Sequence, residues 1–463
     1  IRLLASKIEQ TPAKEISPIT VLEKKDCYPM SFAQRRLFLL NQIEGNSTSY
    51  NVPIGFKLGE NVSLRKLKYA LYQVIKRHEA FRTTFEIRND ELVQVVHDKG
   101  IVELKIYYQE DDAKQIVDEF IKPFNLNELP LFRVGIIKST SGEHIILFDF
   151  HHIIGDGESL QILLKDINTF YSGEEPAKLR VQYKDYMHWQ AIQFESESYS
   201  QQKEYWLNKL SGELPVLNLP YDRPRPVKQR SEGDEYIFEI EKDIFDKLKI
   251  INKECNVTLY MTLIAAYSVL LSKYSGQEDI LVGTPIRGRK HPDADSLIGM
   301  FINNIVIRSN PGGNISFSDY LNSVKNTVVE AFDNQDFQFE ELVSLLNIPK
   351  DLGRTPIFDT IFVVQEILTK DIRFDNISTL PFDIRNKSAK YDIFFEAYPT
   401  TDIIKCVINY STALFNSETI ELLSQHFINI LKNITDNIHT AIKDIDILSD
   451  SEKYLYLHEF NNT

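Results

Sequence analysis

Between Ile145 and Ile167 the hydrophobic period of the chain changes from that of a strand to that of a helix. Ile145 to Phe150 is a short apolar run following a turn at Gly142, and it reads as a strand. Past Gly157, the residues Leu160, Leu163, Leu164 and Ile167 share one side of a helix. The run between them, His151, His152, Ile153, Ile154, Gly155, Asp156 and Gly157, is therefore a strand-to-helix connection. Such a connection requires a sheet with a helix packed beside it, and it is a place where a rigid scaffold commonly holds reactive groups.

The same mixture runs through the whole chain. Helical spacing covers Phe32 to Gln42 and Leu64 to His78, and strand-like pieces follow at Phe81 to Ile87, Leu92 to Val96 and Leu131 to Lys138. Tyr183 to Trp189 and Tyr205 to Leu210 read as helical, whereas Gly212 to Gln229, with four prolines, reads as an irregular connection. Beyond it, helices are predicted at Asp243 to Cys255, Leu259 to Tyr274, Phe317 to Phe332 and Ser417 to Ile434. Strands are predicted at Asp279 to Pro285, Ile302 to Arg308 and Pro356 to Val364, and Tyr391 to Tyr398 with Ile404 to Tyr410 form an antiparallel pair. A chain of 463 residues exceeds what one core usually organises, so two α/β lobes of about 200 residues each are expected.

Composition narrows the function. The formal charge is -14, from 66 acidic and 52 basic residues, which opposes a nucleic-acid partner while leaving a local patch at Arg223 to Arg230 able to contact one phosphate. No run approaches 18 apolar residues, so a membrane span is not expected, and the absence of an export signal points to a cytoplasmic location. Cys27, Cys255 and Cys406 are too far apart to suggest a disulfide framework or a close-spaced metal site. Neither standard glycine-rich nucleotide loop is present, nor a nucleophilic serine elbow.

On a strand, adjacent side chains point to opposite faces, so His151 and His152 cannot share one role. One faces packing and the other a cleft. The same geometry is wrong for two ligands of one metal, and no metal is expected. An imidazole near its ordinary pKa can accept a proton from an attacking nucleophile at neutral pH. Asp156 either contacts that imidazole or anchors the loop against an arginine. Two structural histidines beside a turn aspartate is the alternative that spacing alone leaves open.

Further clusters stand in order around this run. Ser31, Ala33, Gln34, Arg35 and Leu37, then Arg77, His78, Glu79, Phe81, Arg82, Thr83 and Phe85, then His151, His152, Asp156 and Gly157, resemble the first three motifs of the condensation domains of non-ribosomal peptide synthetases. The resemblance continues through Tyr183, Asp185, Tyr186 and Trp189 to Gly299, Phe301, Asn303 and Arg308. It then runs through Asn334, Gln335, Asp336, Phe339 and Glu340 to Asp351, Arg354 and Pro356, some 325 residues in all. The wording at Asn41 to Gly45, Gln182 to Tyr186 and Thr258 to Tyr274 is most similar to the subtype joining an L-residue donor to an L-residue acceptor. Glu158, Asn304, Lys350 and Thr355 depart from the common pattern.

The resemblance implies an α/β fold of two chloramphenicol-acetyltransferase-like lobes, a V-shaped pseudodimer with a central tunnel. It implies the end of an upstream carrier domain and linker at 1–24, an N-terminal lobe at 25–190, a C-terminal lobe at 191–455 and the start of a linker at 456–463. The implied partners are an upstream donor carrier domain, a downstream acceptor carrier domain and a downstream adenylation domain. Phosphopantetheine would arrive on the carriers, with no cofactor bound to the domain itself. The implied reaction is attack of the downstream aminoacyl amine on the upstream thioester carbonyl. His152 would face that amine, as base or as positioning group, and the backbone N–H of Gly157 would meet the developing oxyanion. His151 is the packing histidine, and Asp156 is a loop anchor partnered by Arg289, with Arg287 as its competitor. Arg35, Arg82 and Asn334 are supporting candidates. A free-standing acyltransferase and a catalytically inactive recruitment domain are the alternatives.

Overall fold

Apolar runs and capped helices alternate along the chain and close into two mixed sheets. The first half contains β1 (Tyr28–Pro29), α1 (Phe32–Glu44), β2 (Ile54–Leu58), α2 (Leu64–Arg77), β3 (Thr83–Arg88), β4 (Glu91–Val96), β5 (Glu103–Tyr108) and α3 (Ala113–Phe120). It continues with β6 (Phe132–Lys138), β7 (His144–Phe150), α4 (Gly157–Tyr171), α5 (Tyr183–Gln193) and α6 (Glu197–Lys209). The second half has β8 (Gly233–Ile240), α7 (Lys242–Glu254), α8 (Leu259–Ser275), β9 (Ile280–Ile286), β10 (Asn303–Ser309), α9 (Phe317–Asp333), α10 (Phe339–Leu345) and β11 (Thr360–Val364). Then come the short β12 (Arg373–Phe374), β13 (Ile377–Ser378) and β14 (Leu380–Phe382), followed by β15 (Ile393–Pro399), β16 (Ile404–Ser411) and α11 (Ser417–Asp436). The computed structural model describes residues 17–459 apart from 46, 59–61, 102, 109–112, 139–143, 350, 366–372, 375, 376, 379, 383, 385 and 386. Residues 1–16, which carry most of the range expected to be the end of an upstream carrier domain and linker, and the last four residues lie outside the described residues.

Local chemistry sets the helices that matter for the site. Ser63 caps α2 by accepting the N–H of Lys66, and Leu67, Ala70, Leu71, Val74 and Ile75 form its buried face. That face packs on α4, whose Leu160, Leu163, Leu164 and Ile167 are buried in the same core. Burial of each such leucine or isoleucine stabilises by about 1.5–3 kcal/mol. In the second half, every residue of α8 from Met261 to Leu271 is buried. This apolar helix is the centre of the larger core, and no single described helix is long and apolar enough to cross a membrane.

The first sheet has the order β14-β2-β7-β6-β5, and the second β10-β9-β11-β15-β16-β8. β1, β4 and β3 make a small third sheet. The predicted pair at Tyr391 to Tyr398 and Ile404 to Tyr410 is found as antiparallel β15 and β16, with Phe395 opposite Ile408. The strand β14 crosses over. It belongs to the second half by sequence, yet Leu380, Pro381 and Phe382 pair with Lys57, Phe56 and Gly55 of β2. The range 191–455 is thus not self-contained as a lobe, because backbone hydrogen bonding here depends on an edge strand offered by β2. Ile298 and Met300 likewise bury their side chains in the core of the first half.

Candidate active site

The histidine run begins where β7 ends. His151 still pairs with Asn51 across an isolated bridge, and His152 to Ile154 form one turn of 3-10 helix. The His152 N–H donates to the Tyr50 carbonyl at 2.8 Å, and the His151 N–H to the Leu131 carbonyl at 3.1 Å. The loop is therefore strapped to two neighbouring segments by its own backbone. Its two imidazoles then diverge. His151 is buried, its Nδ1 accepting the Ile153 N–H at 3.1 Å, with Tyr50 and Phe124 rings beside it. His152 keeps part of its surface open while its Nδ1 is enclosed and makes no hydrogen bond of ordinary geometry.

Both rings are held neutral. Burial pushes His152 down to about 3, and the positive charges of Lys390 and Arg36 act in the same direction. Burial also pushes His151 down to about 3, with His152 and Lys390 as further causes. An unprotonated imidazole with an exposed portion can accept a hydrogen bond or a proton from a nucleophile; a protonated one cannot.

Asp156 is the N-cap of α4 and faces away from this chemistry. Its Oδ1 accepts the Ser159 N–H at 2.8 Å, the Ser159 hydroxyl at 2.7 Å and Arg289 Nη2 at 3.0 Å, while its Oδ2 accepts the Phe301 N–H at 3.2 Å. Arg289 is equally engaged. Its Nη1 donates to the carbonyls of Ala294 and Leu297, both at 2.7 Å, and its guanidinium lies 3.8 Å from the Phe301 ring centroid. Gly288, at φ +65°, permits the approach: a Cβ there would stand 1.9 Å from the Phe301 carbonyl oxygen. Arg287 instead meets Glu158 and Asp295 at the surface.

The aromatics of α5 serve the same junction. Tyr183 donates to the Met300 carbonyl at 2.5 Å and Tyr186 to the Gly288 carbonyl at 2.7 Å, while Phe301 packs edge-on to both rings. The Trp189 indole donates to Ser17. Gly157 is the first residue of α4, where a backbone N–H has no acceptor within the helix.

The remaining sequence candidates are dispersed. Arg35 Nε donates to the Met30 carbonyl at 3.2 Å and its guanidinium lies near Phe32. Arg82 is committed to the His97 carbonyl and Glu79, and Asn334 caps α9 through the Glu330 carbonyl. Neither contact involves the histidine loop. Sequence reasoning passed over Arg36, which pairs with Glu340 at 3.1 Å and so joins α1 to α10 across the two halves. Lys390 was passed over as well. A cavity of about 690 Å³ opens between these elements, lined by Phe32, Arg36, Tyr50, Lys228, Glu340 and Lys390 among others. Among the described residues no group of three or more His, Cys, Asp or Glu is placed to hold a metal.

The comparisons with known proteins bear on the fold and the family. The condensation-domain family model matches residues 24–456. The chain is 40% identical over 464 residues to bacitracin synthase 3 of Bacillus licheniformis, covering 100% of this chain and 7% of that protein. It is 42% identical over 450 residues to surfactin synthase subunit 1 of Bacillus subtilis (strain 168), covering 97% of this chain and 12% of that protein. The chain thus spans only a small part of the curated relatives it matches. Among solved structures, the X-domain in its complex with OxyB from teicoplanin biosynthesis superposes with TM-score 0.86 at 23% identity, covering 95% of this chain and 100% of that one. A four-domain nonribosomal peptide synthetase bound to AMP and glycine superposes with TM-score 0.85 at 20% identity, covering 96% of this chain and 35% of that one. These likenesses share the two-sheet α/β fold, and the family match spans nearly all of the sequence. The chain belongs to the condensation-domain family of the non-ribosomal peptide synthetases.

Proposed function

We propose that this chain forms a peptide bond between an upstream aminoacyl or peptidyl thioester and the amine of a downstream aminoacyl thioester. Each substrate is carried on the phosphopantetheine arm of a carrier domain, the upstream one donor and the downstream one acceptor, in a cytoplasmic assembly that includes an adenylation domain. Both residues joined are of the L form. The observation that carries this reading is the state of His152: neutral, partly open, and fixed by backbone to Tyr50 in a loop whose other end is anchored by Asp156.

In this reading His152 accepts a hydrogen bond from the incoming amine and aligns it, then takes the proton that the nitrogen sheds as the carbon–nitrogen bond forms. The Gly157 N–H, at the positive end of α4, faces the developing oxyanion. Asp156 and Arg289 hold the loop and do not exchange protons with substrate. His151 fills the packing beneath.

The test loads two cognate carrier domains with their aminoacyl groups, adds the domain or its His152→Ala form, and follows carrier-bound dipeptide by intact mass. Dipeptide with the parent and little with a folded His152→Ala variant is the expected outcome. Equal product from both would remove His152 from the chemical step, and no product with authentic neighbours would favour a recruiting domain.

A further inference from the structure

One segment, Tyr50 to Val52, straps the histidine loop as β7 ends. The His152 N–H donates to the Tyr50 carbonyl at 2.8 Å, Asn51 bridges to His151, and the Val52 N–H donates to the Phe150 carbonyl at 2.8 Å. The side chain at the centre of that strap is held by Asp149. Asn51 Nδ2 donates to Asp149 Oδ2 at 2.8 Å and to the Lys122 carbonyl at 2.9 Å. A second route runs from Asp149 to the same loop: Arg133 Nε lies 3.8 Å from Asp149 Oδ2, its guanidinium lies 3.7 Å from the Phe124 ring centroid, and that ring stands edge-on to His151.

Asp149 is 0% exposed and shares a face of β7 with Ile145 and Leu147, which α3 covers with Ile116, Val117 and Phe120. Arg133 on β6 is the charged group that faces it, with Glu103 and Tyr107 of β5 beyond. At 3.8 Å that guanidinium makes no hydrogen bond to the carboxyl, and it donates instead to the carbonyls of Phe120 and Pro123, both at 3.3 Å. Among the described residues, Asp149 Oδ1 and Asn51 Oδ1 are both buried acceptors without a donor. A proton on the carboxyl removes the buried charge and supplies an O–H to the amide oxygen. Burial acts in the same direction, pushing the Asp149 carboxyl up to about 7.

Resting on the peptide-bond reading above, we propose that Asp149 is a positioning residue for His152, its protonated carboxyl and the Asn51 amide forming an acid–amide pair that holds the Tyr50 to Val52 strap in register. The carboxyl O–H donates to Asn51 Oδ1 while Asn51 Nδ2 donates back to Asp149 Oδ2. No proton passes between Asp149 and substrate. Ionisation sets a carboxylate oxygen against the amide oxygen in a buried site, and the strap that orients His152 loosens.

The experiment measures single-turnover dipeptide formation on loaded carrier domains from pH 6 to pH 8, across acceptor-carrier concentrations, with the parent, Asp149→Asn and Asp149→Leu. The asparagine amide keeps both hydrogen bonds at every pH, and comparing variants at one pH cancels the titration of the acceptor amine. With the parent carboxyl near 7, about one-tenth of it stays protonated at pH 8, so Asp149→Asn is expected to match the parent at pH 6 and exceed it by about tenfold at pH 8. Asp149→Leu leaves Asn51 without its partner at every pH and is expected to lower the saturating rate by up to about 100-fold, with half-saturation unchanged. A ratio of Asp149→Asn to parent that stays constant from pH 6 to pH 8 overturns the proposal, as does a folded Asp149→Leu that keeps the parent rate. The Asn51 side-chain amide, followed by NMR, should shift with a midpoint near pH 7 in the parent and stay fixed in Asp149→Asn; an amide that does not titrate in the parent overturns the pair whatever the dipeptide yield. A parent domain that makes no dipeptide overturns the peptide-bond reading itself, and the Asn51 titration still decides the pair.

Discussion

Arg289 and Asp156 meet at 3.0 Å with both side chains essentially closed to solvent, although 133 residues separate them in the chain. The pair joins the N-terminus of α4 to the connection after β9. Removing one member leaves the other as a buried, uncompensated charge, at a cost of about 3–5 kcal/mol. Asp156→Ala and Arg289→Ala should each lower the free energy of unfolding by that order, measured by urea unfolding, and abolish dipeptide formation. In a double-mutant cycle the combined variant should be less destabilised than the sum, because the second substitution removes the orphaned charge.

Arg287 offers the contrast two positions away. Its partners Glu158 and Asp295 leave it 55% exposed, so solvent screens the pairing. Arg287→Ala should change stability by less than about 1 kcal/mol by urea unfolding, and dipeptide yield should stay near that of the parent.

The two imidazoles should not titrate as ordinary histidines do. With both pushed down to about 3, NMR spectra of ring-labelled protein should show neutral rings from pH 8 to pH 5; a midpoint near 6.5 at His152 would contradict the burial argument. The stability consequence follows from His151, which is 1% exposed. Its folded pKa lies below the unfolded value, so between about 6.5 and 3 the unfolded chain binds more protons and stability falls as pH falls. From pH 7 to pH 5 that loss is about 2 kcal/mol, and His151→Asn should flatten it.

Asp149 acts in the opposite sense. Burial on β7 pushes its carboxyl up to about 7, against the pull of Arg133 and a hydrogen bond from Asn51 Nδ2 at 2.8 Å. The folded state here binds the proton more tightly than the unfolded one, so this contribution is complete below pH about 4 and is lost as pH rises through 7. Asp149→Asn should unfold at a higher temperature than the parent at pH 8 and lose that advantage at pH 5.

The strand-to-helix passage at Ile145 to Ile167 was legible because two periodicities meet there with nothing between them but the loop. The placement of Asp156 in the cap of α4 follows from that local pattern. Its contact with Arg289 does not follow from local pattern, and only the resemblance pointed to it. β5 was missed because its side chains are mostly exposed and alternate weakly, and β2 because Gly55 and Lys57 interrupt its apolar run. Arg36 and Lys390 were illegible for another reason. Each lines the cavity only once α1, α10 and the approach to β15 are brought together.

The edge strand β14 bears on how such chains exchange parts. A recombinant that replaces everything after residue 190 with the corresponding segment of a relative would bring a foreign β14 against the resident β2, where Phe382 sits 2.9 Å from the position a Gly55 Cβ would take. Compatibility between donor sequences is therefore decided at a three-residue seam as well as at the linker. A crossover that carries β14 together with the first half keeps that seam native, and inheritance along the gene then follows the sheet and not the order of the halves.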